Sequence, residues 1–142
     1  MEKNVYSIQD SIQDRRLLFG ALAGLVGAVF GAFVWMEMAI RTDTLIGYVA
    51  LMSAGIAGVT FGYSTRGVKH AARGYMGAGL GLIAIVLGYY FIYMAPISYE
   101  GMTFVAARYQ SFGEFWSTFT GPVDYLFLSI GAYMGYKLGT VE

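Results

Sequence analysis

The sequence predicts an all-α fold: an integral-membrane four-helix bundle with glycine-rich helix seams. Three observations carry this. Hydrophobic residues make up 57% of the 142 residues and charged residues only 13%, about half the roughly 25% of an ordinary soluble domain. Four apolar stretches approach the roughly 20 helical residues that cross a hydrocarbon core of about 30 Å. Glycine recurs through them at three- and four-residue spacing, which in membrane helices permits close backbone contact.

Residues 1–16 are polar and contain a tandem SIQDSIQD at 7–14. Val5, Ile8 and Ile12 fall at i, i+3, i+7, one helix face. A short amphipathic helix on the cytoplasmic membrane surface is expected, separate from the four-span domain at 17–142. The apolar run that follows is too long for a secretory signal and has no small-x-small cleavage site behind it, and the Arg15–Arg16 pair fails as a twin-arginine signal on the same grounds.

Span 1 is 17–40. Gly20, Gly24, Gly27 and Gly31 line one side. At about 100° per residue, Leu18, Leu22, Leu25, Val29, Phe33 and Met36 cluster about 180° away. Span 2 is 44–63, with Thr42 or Asp43 as N-cap and Gly58 and Gly62 on its seam. Span 3 is 71–94, carrying Gly77, Gly81 and Gly88 and stopped by Pro96. Span 4 is 122–139, with Gly131, Gly135 and Gly139. Pro122 suits its first turn, and Asp124 can meet its free N–H groups. In the 97–121 connection, Met102, Val105, Tyr109, Phe112, Trp116 and Phe119 are spaced 3, 4, 3, 4, 3. That pattern predicts a kinked amphipathic helix at the outer interface, with a lid over the bundle or a docking surface as alternatives.

Basic residues set the orientation. Lys3, Arg15, Arg16, Arg66, Lys69, Arg73 and Lys137 fall on one side, Arg41 and Arg108 on the other, so both termini are expected in the cytoplasm. Trp35, Tyr48, Tyr89, Tyr90, Tyr93, Trp116 and Tyr125 would form an outer aromatic belt, and Tyr63, Tyr75 and Tyr136 an inner one.

Arg16-x3-Gly20-x3-Gly24-x2-Gly27-x3-Gly31 has the spacing of Arg73-x3-Gly77-x3-Gly81-x2-Ala84-x3-Gly88. Ala54, Gly58 and Gly62 likewise match Gly131, Gly135 and Gly139. This suggests a parallel 2+2 helical-hairpin repeat. Chance self-matching of a Gly/Ala-rich chain is the competing explanation.

Chemistry-bearing residues are few. Zero net charge and the lack of a basic stripe argue against nucleic acid. The absence of cysteine excludes disulfides and thiolate metal sites. The single histidine, His70, belongs to a basic, lipid-facing turn and cannot form a haem pair. GAGLG at 77–81 lies in an apolar helix with no strand before it, so it is not a nucleotide loop. No catalytic residue, cofactor or metal is expected. Two carboxylates are candidates for an ion or proton path. Glu37 lies at the outer end of span 1, off the glycine face, with Arg41 four residues on. Asp124 lies seven residues before Gly131, on that helix's glycine face. Asp43, Glu100, Glu114 and Asp124 together could form an acidic vestibule, at no motif spacing.

Thr44, Ile46, Gly47, Tyr48, Gly55 and Gly58, and Pro122, Asp124, Leu126, Phe127, Ala132 and Tyr133, form stretches that resemble small four-span prokaryotic membrane proteins of unassigned function. The resemblance implies a four-helix fold in a prokaryotic plasma membrane and no activity. Small multidrug exporters carry a glutamate mid-way along their first helix, whereas Glu37 is at the end. Fluoride channels carry Asn and Ser in glycine-rich helices, and these spans contain no Asn. The expected function is non-enzymatic: helix–helix contact in the bilayer, as a homo-oligomer or as an accessory or scaffold subunit of a membrane complex. The alternative is a small channel or proton-coupled transporter using Glu37 and Asp124.

Overall fold

The computed structural model describes residues 2–42, 47–69, 71–95 and 111–141. Every regular element in them is a helix: α1 (Glu2–Thr42), α2 (Gly47–Ser64), α3 (Ala72–Tyr93), α4 (Phe112–Phe119) and α5 (Pro122–Gly139). The fold is all-α. α1 and α3 are long and apolar enough to cross a membrane. α2 and α5 have 18 residues each, about 27 Å of helix. Tyrosines at both ends of α2, and Asp124 and Lys137 in α5, dilute their apolar character.

The start of α1 differs from the expectation. It passes through Arg15 and Arg16 as one helix of 41 residues, roughly 60 Å long. No Gly or Pro falls between Glu2 and Phe19, so nothing interrupts the hydrogen-bond ladder. Val5, Ile8 and Ile12 lie exposed on this extension. α3 stops at Tyr93, with the Met94 N–H donating to Tyr90 O at 2.9 Å. The next residue, Ala95, precedes a proline and resists helical geometry. Between α2 and α3, Gly67 has φ of 79°. That turn brings Thr65 and Val68 back into the interior, where both are buried.

α1–α2 and α3–α5 share the most extensive interfaces; α1–α3, α2–α5 and α2–α3 close the bundle. Both pairs are antiparallel, since Gly20 faces Thr65 while Gly31 faces Ser53, and Gly77 faces Gly139 while Gly81 faces Gly131. α1 and α5 share no interface comparable to α2–α3. A two-fold exchanging the hairpins would require one, so the helices are not arranged as two equivalent halves. One end carries Arg16, Arg66 and Arg73, hereafter the basic end; the other carries Trp35, Tyr89 and Trp116, the aromatic end.

Glycine sets the helix separations. A Cβ on Gly77 would run into the carbonyl of Gly135, and a Cβ on Gly135 into the carbonyl of Gly77. One on Gly81 would lie 2.6 Å from Gly131 O. One on Gly62 would meet Leu138 O, and Gly58 faces Gly135 and Leu138. The carbonyls met by Gly62, Gly77, Gly81 and Gly135 are backbone groups, which cannot swing aside. On α1, Gly20 faces Thr65, Gly24 faces Leu80 and Phe61, and Gly27 faces Thr60. A Cβ on Gly31 would stand 2.7 Å from Ser53 Cα. Gly88 accepts the benzo edge of Trp35, Gly131 faces Ile85, and Gly139 faces Gly77 and Phe61. Alanines 28, 32, 54, 57 and 84 complete a fully buried interior. The larger core side chains gather in two layers. Phe61, Leu80, Leu17 and Val68 fill the basic half. Trp35, Tyr89, Ile85, Ile92 and Phe115 fill the aromatic half. Phe115 comes from α4, so that short helix covers the aromatic end. The preceding stripe residues Met102, Val105 and Tyr109, together with Asp43, Thr44, Ile46, His70, Pro96, Glu100 and Arg108, lie outside the described residues.

Glycines of the α3–α5 pair therefore separate into two classes. Gly77→Ala and Gly135→Ala are each expected to cost about 1–3 kcal/mol by overpacking. A Cβ on Gly79 would meet nothing within 4 Å, so Gly79→Ala should be neutral or stabilise by about 0.5–1 kcal/mol through helix propensity. Thermal unfolding in detergent, followed by circular dichroism, checks the ordering.

Candidate functional site

Two polar clusters sit at opposite ends of this apolar bundle. At the aromatic end, Pro122 opens α5 behind Gly121, and the third helical residue is Asp124. Its Oδ2 accepts from the Gly121 N–H at 2.8 Å, the reach-back half of a capping box. Its Oδ1 accepts from the Tyr89 hydroxyl at 2.8 Å. One carboxylate thus caps its own helix and ties it to α3. Tyr89 is 3% exposed. Its ring packs edge-on against Trp35, centroids 4.8 Å apart, and against Trp116, 5.0 Å apart. The cluster therefore joins α1, α3, α4 and α5. Trp35 is 1% exposed, and its Nε1 has no hydrogen-bond partner among the described residues.

Glu37 stands apart from that cluster. Its Oε2 lies 3.4 Å from Arg41 Nε. The arginine is 78% exposed and the glutamate 31%, so the pair is screened and contributes little to stability. The two candidate carboxylates share no partner among the described residues. Nor do three His, Asp or Glu side chains there come together as metal ligands; Asp43 and Glu100 of the expected vestibule lie outside the described residues.

At the basic end, Arg73 is 5% exposed. Its Nε donates to Thr65 Oγ1 at 2.9 Å, and one terminal nitrogen donates to Gly62 O at 3.0 Å and Val141 O at 2.7 Å. Gly62 lies in the last turn of α2, and Val141 two residues past α5. Carbonyls at helix C-termini are left without intrahelical donors and carry the negative end of the dipole. The guanidinium supplies both the donors and the opposite charge. Thr65 relays the arrangement, since its hydroxyl also donates to Phe61 O at 2.8 Å.

Three of these residues depart from the expectation. Trp35 and Tyr89 are core residues, not belt residues, whereas Tyr48, Tyr90 and Tyr125 are exposed. The signal lies in register. Trp35 is four residues after Gly31 and continues the glycine ladder, and Tyr89 follows Gly81 and Ile85 at four-residue steps. Arg73 is buried while its repeat counterpart Arg16 is exposed. No local pattern distinguishes the two, because burial of Arg73 depends on the ends of α2 and α5 converging on it.

If the Tyr89–Asp124 bond locks the aromatic end, Tyr89→Phe and Asp124→Asn should each destabilise. The double variant should lose less than the sum, with a coupling of about 1 kcal/mol in a double-mutant cycle. For the basic end, Arg73→Met is expected to cost about 1–3 kcal/mol by stranding buried carbonyls. Arg73→Lys should recover part of it, with the loss read as faster hydrogen exchange in the last turns of α2 and α5. Compared with protein families, with curated proteins and with solved structures, the chain shows no match in any of the three.

Proposed function

We propose that this chain is a non-enzymatic polytopic membrane protein whose four long helices all cross the bilayer, with both termini cytoplasmic. It acts by helix contact, as a homo-oligomer or as an accessory or scaffold subunit of a membrane complex. The observation that carries the reading is the division of each helix into a small-residue inner face and a bulky apolar outer face. Leu18, Leu22 and Phe33 on α1, Met52 and Val59 on α2, Ile83 and Val86 on α3, and Leu126 and Ile130 on α5 are exposed. An apolar surface on every long helix suits a lipid or protein-helix environment. Lys and Arg at the basic end support a cytoplasmic assignment for it. The glycine faces are occupied within the chain, so partner helices would meet the large side chains instead.

A channel or proton-coupled transporter is the second reading. Its support is Asp124, whose Oδ1 reaches the buried Tyr89 hydroxyl between two helices. Glu37 supports it less, being turned to Arg41.

The chain has no cysteine, so single cysteines report contacts cleanly. Cysteine at Leu22 or Val29 should give cross-linked homo- or hetero-oligomers in isolated membranes, and cysteine at buried Ala28 should not. A chain that stays monomeric in mild detergent and forms no cross-linked species overturns the contact reading. Proteoliposome flux that falls in Glu37→Gln and Asp124→Asn would establish the transporter reading in its place.

A further inference from the structure

α1 is about twice as long as a bilayer crossing, and its first turns stand clear of the bundle. The helix has 41 residues, whereas about 20 span a hydrocarbon core. Every residue from 5 to 12 is exposed, and full burial begins at Leu17. In this extension Val5, Ile8 and Ile12 are spaced 3 and 4, and the next steps of 3 and 4 reach Arg15 and Phe19. Leu22, Val26, Val29 and Phe33 continue at 3, 4, 3, 4. This is the a/d pattern of a heptad, carried without a break from the polar extension into the apolar part of the helix. Arg15 is its one polar member, and it is exposed. The apolar members are between 47% (Val29) and 71% (Phe19) exposed.

Two features distinguish this seam from an ordinary lipid-facing surface. The first is its width. Off the seam the extension is polar apart from Tyr6, with Ser7, Gln9, Asp10, Ser11, Gln13 and Asp14. A strict a/d stripe is narrower than the face a helix turns to a core, and it matches a coiled-coil seam. The second is its reach. α1 continues straight through Arg16, so Ile8 and Val5 stand about 12 and 16 Å beyond that residue along the axis. The headgroup layer on one side of a bilayer is only about 5–7 Å deep. Lipid can therefore cover Phe19 to Phe33, but not Val5 and Ile8.

We propose that α1 pairs with α1 of a second copy of this chain, as a parallel coiled coil along the Val5–Phe33 seam. The proposal rests on the helix-contact reading above and names its partner and its face. The occupant must be a helix that lies in the bilayer beside Leu22 and Val26 and also projects past the headgroups beside Val5 and Ile8. A second α1, related by a two-fold axis along the membrane normal, has that length, that direction and a matching seam. The exposed area suffices. Eight apolar side chains about half exposed leave on the order of 800 Å² per chain, the share that each partner gives a stable interface. Arg15 limits the assembly to two. At a d position it faces its own copy, and each further chain would add a cation around the same axis. In a pair, the two guanidiniums can turn outward to lipid phosphates.

The test uses the full chain, in membranes and in mild detergent. Cysteine at Ile8 or Ile12 should form a disulfide-linked species of two chains on mild oxidation, and cysteine at Asp10, on the far side of the helix, should not. Native mass spectrometry should give a dimer. Ile12→Asp should weaken it at least tenfold, by setting a carboxylate in an apolar layer. Arg15→Leu should strengthen it roughly tenfold, by removing the like charges from the axis. Asp10→Asn should leave it unchanged. Circular dichroism checks that each variant keeps its helix content. Equal cross-linking at Asp10, a dimer untouched by Ile12→Asp, or cross-linked species containing three or more copies or a different protein overturns the proposal. The two levels separate cleanly. If cysteines at Ile8 and Ile12 stay unlinked while cysteine at Leu22 or Val29 still links, the α1 pair fails and the helix-contact reading stands. If none of the four links, both fail.

Discussion

Backbone contact between α3 and α5 is the constraint on which the bundle depends. Gly77 and Gly135 each occupy the place where the other's Cβ would stand against a carbonyl, and Gly81 repeats the contact at Gly131. Helices this close gain dispersion contacts along their whole length. That gain matters most where the surroundings are apolar, because lipid tails solvate a leucine as well as a neighbouring helix does. The same closeness leaves no room for side chains along the seam. Large residues are driven to the two ends of the interior or to the outside.

Polar groups then act as locks at those ends. A buried donor or acceptor without a partner costs more than a satisfied one contributes. Arg73 removes that cost for carbonyls at the ends of two helices at once, and Asp124 does so for its own helix start and for Tyr89. Each lock joins elements distant in sequence, Arg73 to Val141 and Tyr89 to Asp124. Both therefore connect α3 to α5, the pair with the closest glycine contact. Glu37 and Arg41, by contrast, lie on one helix and restrain nothing beyond it.

Much of this was legible in the chain. Helical periodicity marked the glycine faces, and Leu18, Leu22, Leu25, Val29 and Phe33 are exposed opposite them. The ion pair of Glu37 with Arg41 follows from a four-residue spacing, which is a local property of any helix. The aromatic residues were harder. Trp35 and Tyr89 have the composition of an interfacial belt, yet Gly88 leaves a recess that the Trp35 ring fills. Matching the ladder position of Trp35 to a missing side chain on another helix requires knowing which helices are neighbours. The repeated spacing of α1 and α3 likewise does not extend to their surroundings. Gly20 and Gly24 face side chains of Thr65, Phe61 and Leu80, whereas Gly77 and Gly81 face backbone.

By itself, the sequence determined the all-α class, the small-residue faces, the local ion pair of Glu37 and the clustering of basic residues, because each follows from composition or from helical period within one segment. Only the tertiary structure decided that α2 and α3 pack together while α1 and α5 do not, that Arg73 is buried and Arg16 exposed, and that Asp124 bonds Tyr89. Those outcomes depend on which faces meet across the bundle, and a period along one helix carries no information about the neighbour it faces.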